Sequence, residues 1–295
     1  MKTNLSQSVI YAMLSDEMGE IDDLRPMIEG EESQAYSFLF KEKYYVVRIN
    51  PKIEGFKKDQ YAYENYSSDK IPMPRVVRLG YIDDNHAFCV SELVGGITLQ
   101  DANPKQIANL LEPLTNVWAE IGVTDVSNTH GYGEYDGYGN GKYETWQNFI
   151  LGVLRYDWGK VADLVDTELV EKAKNELETL SSNMPNLRKL VHGDFGANNM
   201  LVENGQIKSV IDWENSLYGD PLYDISIAYF WSSWLICMEM SAKYWEDLLS
   251  KTEDYHRRIK CYQLRIALHE IYDNATDNDS EMVSWLQKRT KEILD

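Results

Sequence analysis

Through the first ninety or so residues, apolar and polar positions fall in short runs, and beyond them the period changes. Segments 34–40 (QAYSFLF) and 43–50 (KYYVVRIN) are rich in β-branched and aromatic residues and are separated by a two-residue turn. A further run, 25–30, precedes them, and runs 75–83 and 86–93 follow, joined at Asp83-Asp84-Asn85. Short runs of this composition bounded by turn residues predict strands. The polar, tyrosine-bearing segment 56–68 predicts a helix between them. That region therefore reads as three strands, one helix and two strands.

After Gly95-Gly96 the pattern is helical. Asn103 before Pro104 has the chemistry of an N-cap followed by the first helical residue, and Ile107, Leu110, Leu111, Leu114 and Val117 continue at helical spacing. Helices are also predicted over 145–155, 167–182, 221–240, 255–272 and 280–294. The Gly/Tyr-rich stretch 129–143 has no period and reads as a surface loop, or as a lid bringing Glu134 and Asp136 near a cation. Its G-x-G lacks a preceding strand and a following ribose-binding acid, which removes a dinucleotide-binding reading. Between the helices lies a β-like island, 190–212.

The chain has 295 residues, enough for one large domain or two packed lobes. Its 43% apolar and 12% aromatic content supplies a core and excludes disorder. With 48 acidic and 29 basic residues the formal charge is −19, which disfavours nucleic acid or an anionic membrane as partner. Residues 1–94 carry 16 acidic and 11 basic groups, and residues 95–295 carry 32 and 18, so most of the negative charge lies in the helical part. Cys89, Cys237 and Cys261 are few and widely spaced, as expected for reduced thiols in the cytoplasm. The N-terminus has no signal-peptide core, and the longest uncharged apolar stretch, 225–238, is too short to span a bilayer.

The island VHGDFGANNMLVENGQIKSVIDWE carries the chemistry. Asn204-Gly205 is a strong hairpin signal, since both central residues of a type I′ turn need positive φ. In the hairpin it predicts, residues whose numbers sum to 409 face each other. Asn199 then opposes Val210, and Asp212 follows two residues on along the same face, within joint reach of one cation. Two oxygen ligands suit Mg²⁺, which completes its shell with phosphate and water. Asp194, on the glycine-flanked loop before the hairpin, is placed to accept a hydrogen bond from a substrate hydroxyl and orient it for in-line attack. Asp220 and Asp224, before and within the first turn of the following helix, read as structural acids supporting this loop.

HGDFGANN followed by VIDWE resembles the catalytic and metal-binding segments of the aminoglycoside phosphotransferase family, which has the protein-kinase-like fold. EGEES-AYSF, VVRIN, GFKKDQY, IPMPRV, GITLQD and FW-x-x-WLICME extend the resemblance over about residues 29–239 and are similar to its hygromycin B branch. The resemblance implies an α+β, two-lobed fold with a small β-rich N-lobe over 1–94, a hinge near 91–95 and a helical C-lobe over 95–295. It implies ATP and Mg²⁺ as cofactors and a cationic aminoglycoside, hygromycin B foremost, as phosphoryl acceptor, in a cytoplasmic monomer. A kinase of another small hydroxylated amine and a non-catalytic nucleotide-binding scaffold are the alternatives. A protein kinase is disfavoured, because no activation segment running from a metal-binding D-F-G to A-P-E appears, and I-D-W (211–213) occupies the metal-binding position.

Residue by residue, the family makes Asp194 the catalytic base and Asn199 and Asp212 the metal ligands. Ser91 and Leu93 resemble the hinge whose backbone holds adenine, and Gly30-Glu31-Glu32-Ser33 the loop over the phosphates. That loop has one glycine and two carboxylates, so Ser33 is its best phosphate contact. Arg48 stands where most kinase-like enzymes have lysine and retains the charge with a different geometry. Its acidic partner is Asp59 or Glu64, the count back from Ile71-Pro72 favouring Asp59. On the acceptor side, Trp231 and Trp234 fall three apart on the helix expected from Pro221, with Asn198 and Glu239 as further contacts.

Overall fold

The computed structural model describes residues 4–27 and 33–295. Helix α1 (Gln7–Met18) precedes strands β1 (Asp22–Pro26), β2 (Gln34–Phe40) and β3 (Lys43–Asn50), followed by helix α2 (Glu54–Tyr66) and strands β4 (Val76–Asp83) and β5 (His86–Glu92). The five strands form one antiparallel sheet in the order β1-β2-β3-β5-β4. The expected order of three strands, a helix and two strands is present, with α1 added in front; the first strand is Asp22–Pro26, and residues 28–30 of the run expected there lie outside the described residues. Only Ile10 and Leu14 of α1 are buried, a pattern too thin to show in the sequence. They pack with Phe38, Val47, Ile49, Phe88 and Val90, and α2 covers Ala87 and Cys89 with Phe56.

The rest of the chain is helical around two small sheets. Strand β6 (Ile97–Thr98) leads to helix α3 (Pro104–Val123), where the Asn103 side chain accepts from the backbone N–H groups of Lys105 and Gln106 and Gln106 reaches back to the Asn103 N–H. That is the expected cap, completed as a capping box. Strands β7 (Tyr132–Tyr135) and β8 (Gly141–Tyr143) follow, then helix α4 (Trp146–Ile150), which tightens into 3₁₀ turns up to Arg155, and helix α5 (Thr167–Ser181). Next come β9 (Lys189–Val191), β10 (Met200–Glu203), β11 (Gln206–Val210) and β12 (Leu217–Gly219). Helices α6 (Leu222–Trp231), α7 (Ile236–Leu249), α8 (Tyr255–Thr276) and α9 (Ser280–Leu294) complete the fold. One large core joins these helices and the buried strands to Ala62, Tyr66 and Ile71 of the first region. Among the described residues no helix is long and apolar enough to cross a membrane.

Three expectations are corrected. The stretch 129–143 is a hairpin, not a loop or lid: β7 pairs with β8 and β12 in a four-stranded sheet of order β8-β7-β12-β9. Arg188 pins its approach by donating to the Gly131 and Val126 carbonyls and Thr129 Oγ1, Glu134 pairs with Lys142, and Asp136 accepts from the Tyr138 and Asn140 N–H groups of the turn. Strands of four and three residues are too short to display an alternation. The helix expected over 221–240 is two, broken at 232–235, because Arg289 donates to the Tyr229 and Phe230 carbonyls and Ser232 Oγ also donates to Tyr229. Those carbonyls are the acceptors that another helical turn would use.

The third correction concerns register. Next to the turn, where Asn204 and Gly205 both have positive φ, Glu203 faces Gln206 and Val202 faces Ile207, as expected. The register then shifts, so that Leu201 faces Ser209 and Met200, not Asn199, faces Val210. A bulge at Lys208 absorbs the extra residue, a device common beside active sites.

Candidate functional site

Strand β9 delivers the chain into a loop that contains Asp194 and ends at Asn199. The loop has little freedom. Asp224, in the first turn of α6, accepts the N–H groups of His192 (3.1 Å) and Gly193 (2.8 Å). Burial pushes the Asp224 carboxyl up to about 7. Gly193 has φ +83°, and a Cβ there would lie 2.0 Å from the Asn215 carbonyl oxygen, so only glycine fits. His192 is fully buried against Trp213 and Phe195. Its Nδ1 accepts from the Asp194 N–H (3.2 Å), which leaves Nε2 to donate to the Ile211 carbonyl (3.1 Å). One neutral tautomer thus ties the loop to the strand leading to Asp212, and burial lowers the imidazole to about 4.

Asn199 and Asp194 are in direct contact: the Asn199 amide donates to Asp194 Oδ2 (2.7 Å) and to the Asp194 carbonyl (3.0 Å). With both amide hydrogens committed, Asn199 Oδ1 is an acceptor. The Ile211 N–H donates to the Asn199 carbonyl (2.9 Å), so the shifted register still brings Asp212 beside Asn199. Asp212 has φ +62°, a left-handed conformation that aspartate tolerates better than most residues. Burial, then the neighbouring Asp59, push its carboxyl up to about 7, with Glu214 and Asp194 acting in the same direction against Arg48.

The residues expected on the nucleotide side connect to the segment after Asp212. Arg48, on β3, ion-pairs with Asp59 of α2, whose other oxygen accepts the Trp213 N–H (2.7 Å). One carboxylate therefore joins β3, α2 and the residue after Asp212. Glu64, the other candidate, is exposed and bonded to Gln60. Sequence reasoning missed Lys58. It is buried, donates to the carbonyls of Glu214 and Ser216, and lies over the Tyr135 ring, with burial lowering its amine to about 8. Its position one residue before Asp59 was the available signal. Ser33 Oγ accepts from Asn50 (3.5 Å), while Gly30, Glu31 and Glu32 lie outside the described residues.

The expected hinge residues, Ser91 and Leu93, lie at the end of β5. The Leu93 N–H donates to the Tyr44 carbonyl (3.1 Å) and the Glu92 N–H to Arg75 (2.9 Å). Strand alternation therefore turns the backbone groups of Ser91 and Leu93 towards β3. It turns the Glu92 carbonyl and the next N–H on that side, that of Val94, beyond the start of β4.

On the other side of the loop, α7 carries Met238 to within 3.0 Å of where a Gly196 Cβ would lie. The break between α6 and α7 is thus beside the loop. Trp231 ends α6 and Trp234 lies in the break, 51% exposed, so the pair does not share one helix as expected. The third indole, Trp285 of α9, was not foreseen: it stacks on Trp231 (5.2 Å, 4°) and meets Trp234 edge-on (4.9 Å, 87°). Glu239 pairs with Lys243 one turn on, and Asn198 is exposed in the loop next to Asn199.

A loop carboxylate, a bonded asparagine and a second carboxylate just beyond the following strand, with an arginine–aspartate pair behind them, form an arrangement suited to phosphoryl transfer on an α+β frame of three sheets. The chain belongs to the phosphotransferase enzyme family, whose model matches residues 23–260. It is 34% identical to hygromycin-B 4-O-kinase of Escherichia coli, over 99% of this chain and 86% of that protein. The crystal structure of aminoglycoside phosphotransferase APH(4)-Ia superposes with a TM-score of 0.94 at 33% identity, covering 98% of each chain. A thermostable mutant of that enzyme, in ternary complex with AMP-PNP and hygromycin B, gives 0.92 at 35% identity over 97% of each chain.

Proposed function

We propose that this enzyme transfers the γ-phosphoryl group of ATP to a hydroxyl of hygromycin B, the 4-hydroxyl by likeness to the Escherichia coli kinase, and so confers resistance. The observation that carries the reading is the Asp59 carboxylate, which holds Arg48 on one oxygen and the Trp213 N–H on the other, beside Asp212, Asn199 and Asp194. Residues 1–94 hold the nucleotide: the Glu92 carbonyl and Val94 N–H face adenine, Arg48 steadies the phosphates and Ser33 lies on the phosphate side. Residues 95–295 hold the acceptor between the Asp194 loop and the indoles. The surplus of acidic groups there raises the local concentration of a polycation at modest ionic strength.

Asp194 accepts a hydrogen bond from the acceptor hydroxyl and aims its oxygen at the γ-phosphorus. The O–P bond forms as the bond to ADP breaks, and the hydroxyl proton passes to the Asp194 carboxylate. With a loose transferring group, positioning and charge neutralisation supply most of the rate.

The donors fit Mg²⁺. Asn199 Oδ1 and the Asp212 carboxylate are hard oxygens, and the crowd of carboxylates that raises Asp212 is the environment a divalent cation relieves. Among the described residues no three His, Cys, Asp or Glu side chains are grouped to hold a metal alone, consistent with a site completed by phosphates. When bound there, the ion neutralises the phosphate oxygens. Three buried free thiols are in keeping with a reducing cytoplasm, where the enzyme acts as a monomer.

The test is ADP release by purified protein with Mg-ATP and a panel of acceptors. Release stimulated by hygromycin B is expected. Release only with a choline-like or amino-sugar acceptor, or nucleotide binding without turnover, would overturn the assignment.

A further inference from the structure

We infer that the C-terminal helix α9 is part of the acceptor site, with Trp285 as the positioning residue that sets the two exposed-side indoles. The inference rests on the reading that Trp231 and Trp234 meet the acceptor. The helix acts at two points. Arg289 takes the Tyr229 and Phe230 carbonyls at 2.7 and 3.0 Å, which ends α6 and forces the 232–235 break. Within the break the Trp234 and Leu235 N–H groups both donate to the Trp231 carbonyl at 3.0 Å, giving a tight turn. One turn before Arg289 on α9, Trp285 covers one face of Trp231 in a parallel stack and receives Trp234 at right angles.

The consequence is geometric. Trp234 is half exposed and lies in a turn, so its own backbone gives its ring little support. Its ring orientation comes from the Trp285 contact. Trp231, half-buried, has one face occupied by Trp285 and meets Phe230 edge-on. Stacked and edge-on aromatic contacts prefer narrow geometries, so a third indole can fix two others without touching a ligand. Met238, in the first turn of α7 just after the break, lies against Gly196 of the Asp194 loop, while Asp224 holds the other end of α6 to the same loop. An acceptor on these rings is therefore at the mouth of the reacting centre, and α9 decides the angle at which it is met.

Steady-state kinetics of Trp285→Ala, Trp285→Phe and Trp234→Ala, with hygromycin B and ATP varied separately, tests the inference. Loss of one aromatic contact is expected to raise the acceptor KM about three- to tenfold in Trp285→Ala. The KM for ATP should stay within about twofold, as Trp285 makes no contact with the nucleotide side. Trp285→Phe should recover part of the loss, and should fold even if the alanine variant does not. In the Trp234→Ala background, Trp285→Ala should add less than in the wild type, because both act through one ring. An unchanged acceptor KM in both Trp285 variants, with a raised one in Trp234→Ala, overturns the positioning role alone. An unchanged acceptor KM in Trp234→Ala overturns the acceptor reading beneath it. Equal changes in both KM values in Trp285→Ala, unrelieved by phenylalanine, would mark the residue as merely structural.

Discussion

The two sides of the site are built from different materials. The proposed nucleotide side is held by largely buried charge-assisted hydrogen bonds: Arg48 on Asp59, Asp59 on the Trp213 N–H, Lys58 on the Glu214 and Ser216 carbonyls. The proposed acceptor side consists of indoles at a helix break, with a surface ion pair between Glu239 and Lys243 one turn on. Buried polar bonds are directional, and unmaking one strands its partner at full desolvation cost. Aromatic contacts are individually weaker and tolerate adjustment. Phosphate charge has to be met in one fixed place, whereas a many-ringed sugar can be received by surfaces that adapt. Damage on the first side should therefore appear in turnover and stability, and on the second in acceptor KM alone.

The largest effect is expected at the residue between the two sides. Asp194→Ala should lower kcat by roughly a thousandfold, in the range for loss of a positioned general base, while nucleotide binding measured by calorimetry persists. Turnover within tenfold of wild type would remove Asp194 from its role. Asp59→Ala follows. It leaves Arg48 unpaired and the Trp213 N–H without an acceptor, and breaking such a pair costs about 3–5 kcal/mol when fully buried. Arg48 is 25% exposed, so the lower end is expected in urea unfolding, together with a raised KM for ATP. A loss of acceptor affinity without loss of stability would invert the comparison.

The same contrast explains how much could be read in advance. The N-terminal sheet, the Asn103 cap and the hairpin turn were legible because their signals are local: alternation, an N-cap before proline, an Asn-Gly pair. That Asp194, Asn199 and Asp212 lie together was legible through spacing and resemblance, and the Arg48–Asp59 pair through a residue count. The Lys208 bulge was not, because a one-residue insertion leaves the apolar pattern intact. The α6–α7 break was not, because its cause is Arg289, almost sixty residues further on. Trp285 was hidden for the same reason. Which backbone groups near the hinge point towards β3 depends on the pairing of β5 with β3, and Ser91 and Leu93 look the same in sequence whichever way they point.

A smaller effect separates the scaffold from the rings by pH. His192 is neutral and buried, with its imidazole lowered to about 4 from an ordinary value near 6.5. Between those values the unfolded chain binds a proton that the native state refuses. Stability from this residue is therefore complete above about pH 6.5 and is lost as pH falls towards 4, by up to about 3 kcal/mol. Denaturation at a series of pH values should show that slope in wild type and a flatter one in His192→Gln. Trp234→Ala, which touches no buried titratable group, should keep the wild-type slope; matching slopes in wild type and His192→Gln would refute the buried neutral histidine.

The smallest effect belongs to Glu239. Its carboxylate is already paired with Lys243 on an exposed helix face, and surface pairs of this kind contribute about 0–1 kcal/mol. Glu239→Gln should therefore change unfolding by no more than about 0.5 kcal/mol. Any effect on acceptor KM should be below about threefold and should fade as salt is raised from 50 to 300 mM, because charge on an open surface is screened over roughly 10 Å. A large, salt-resistant rise in acceptor KM would mean that Glu239 leaves Lys243 to bind the acceptor directly. The acceptor side would then contain a desolvated charge like those of the nucleotide side, and the division into a polar scaffold and an aromatic surface would fail at that residue.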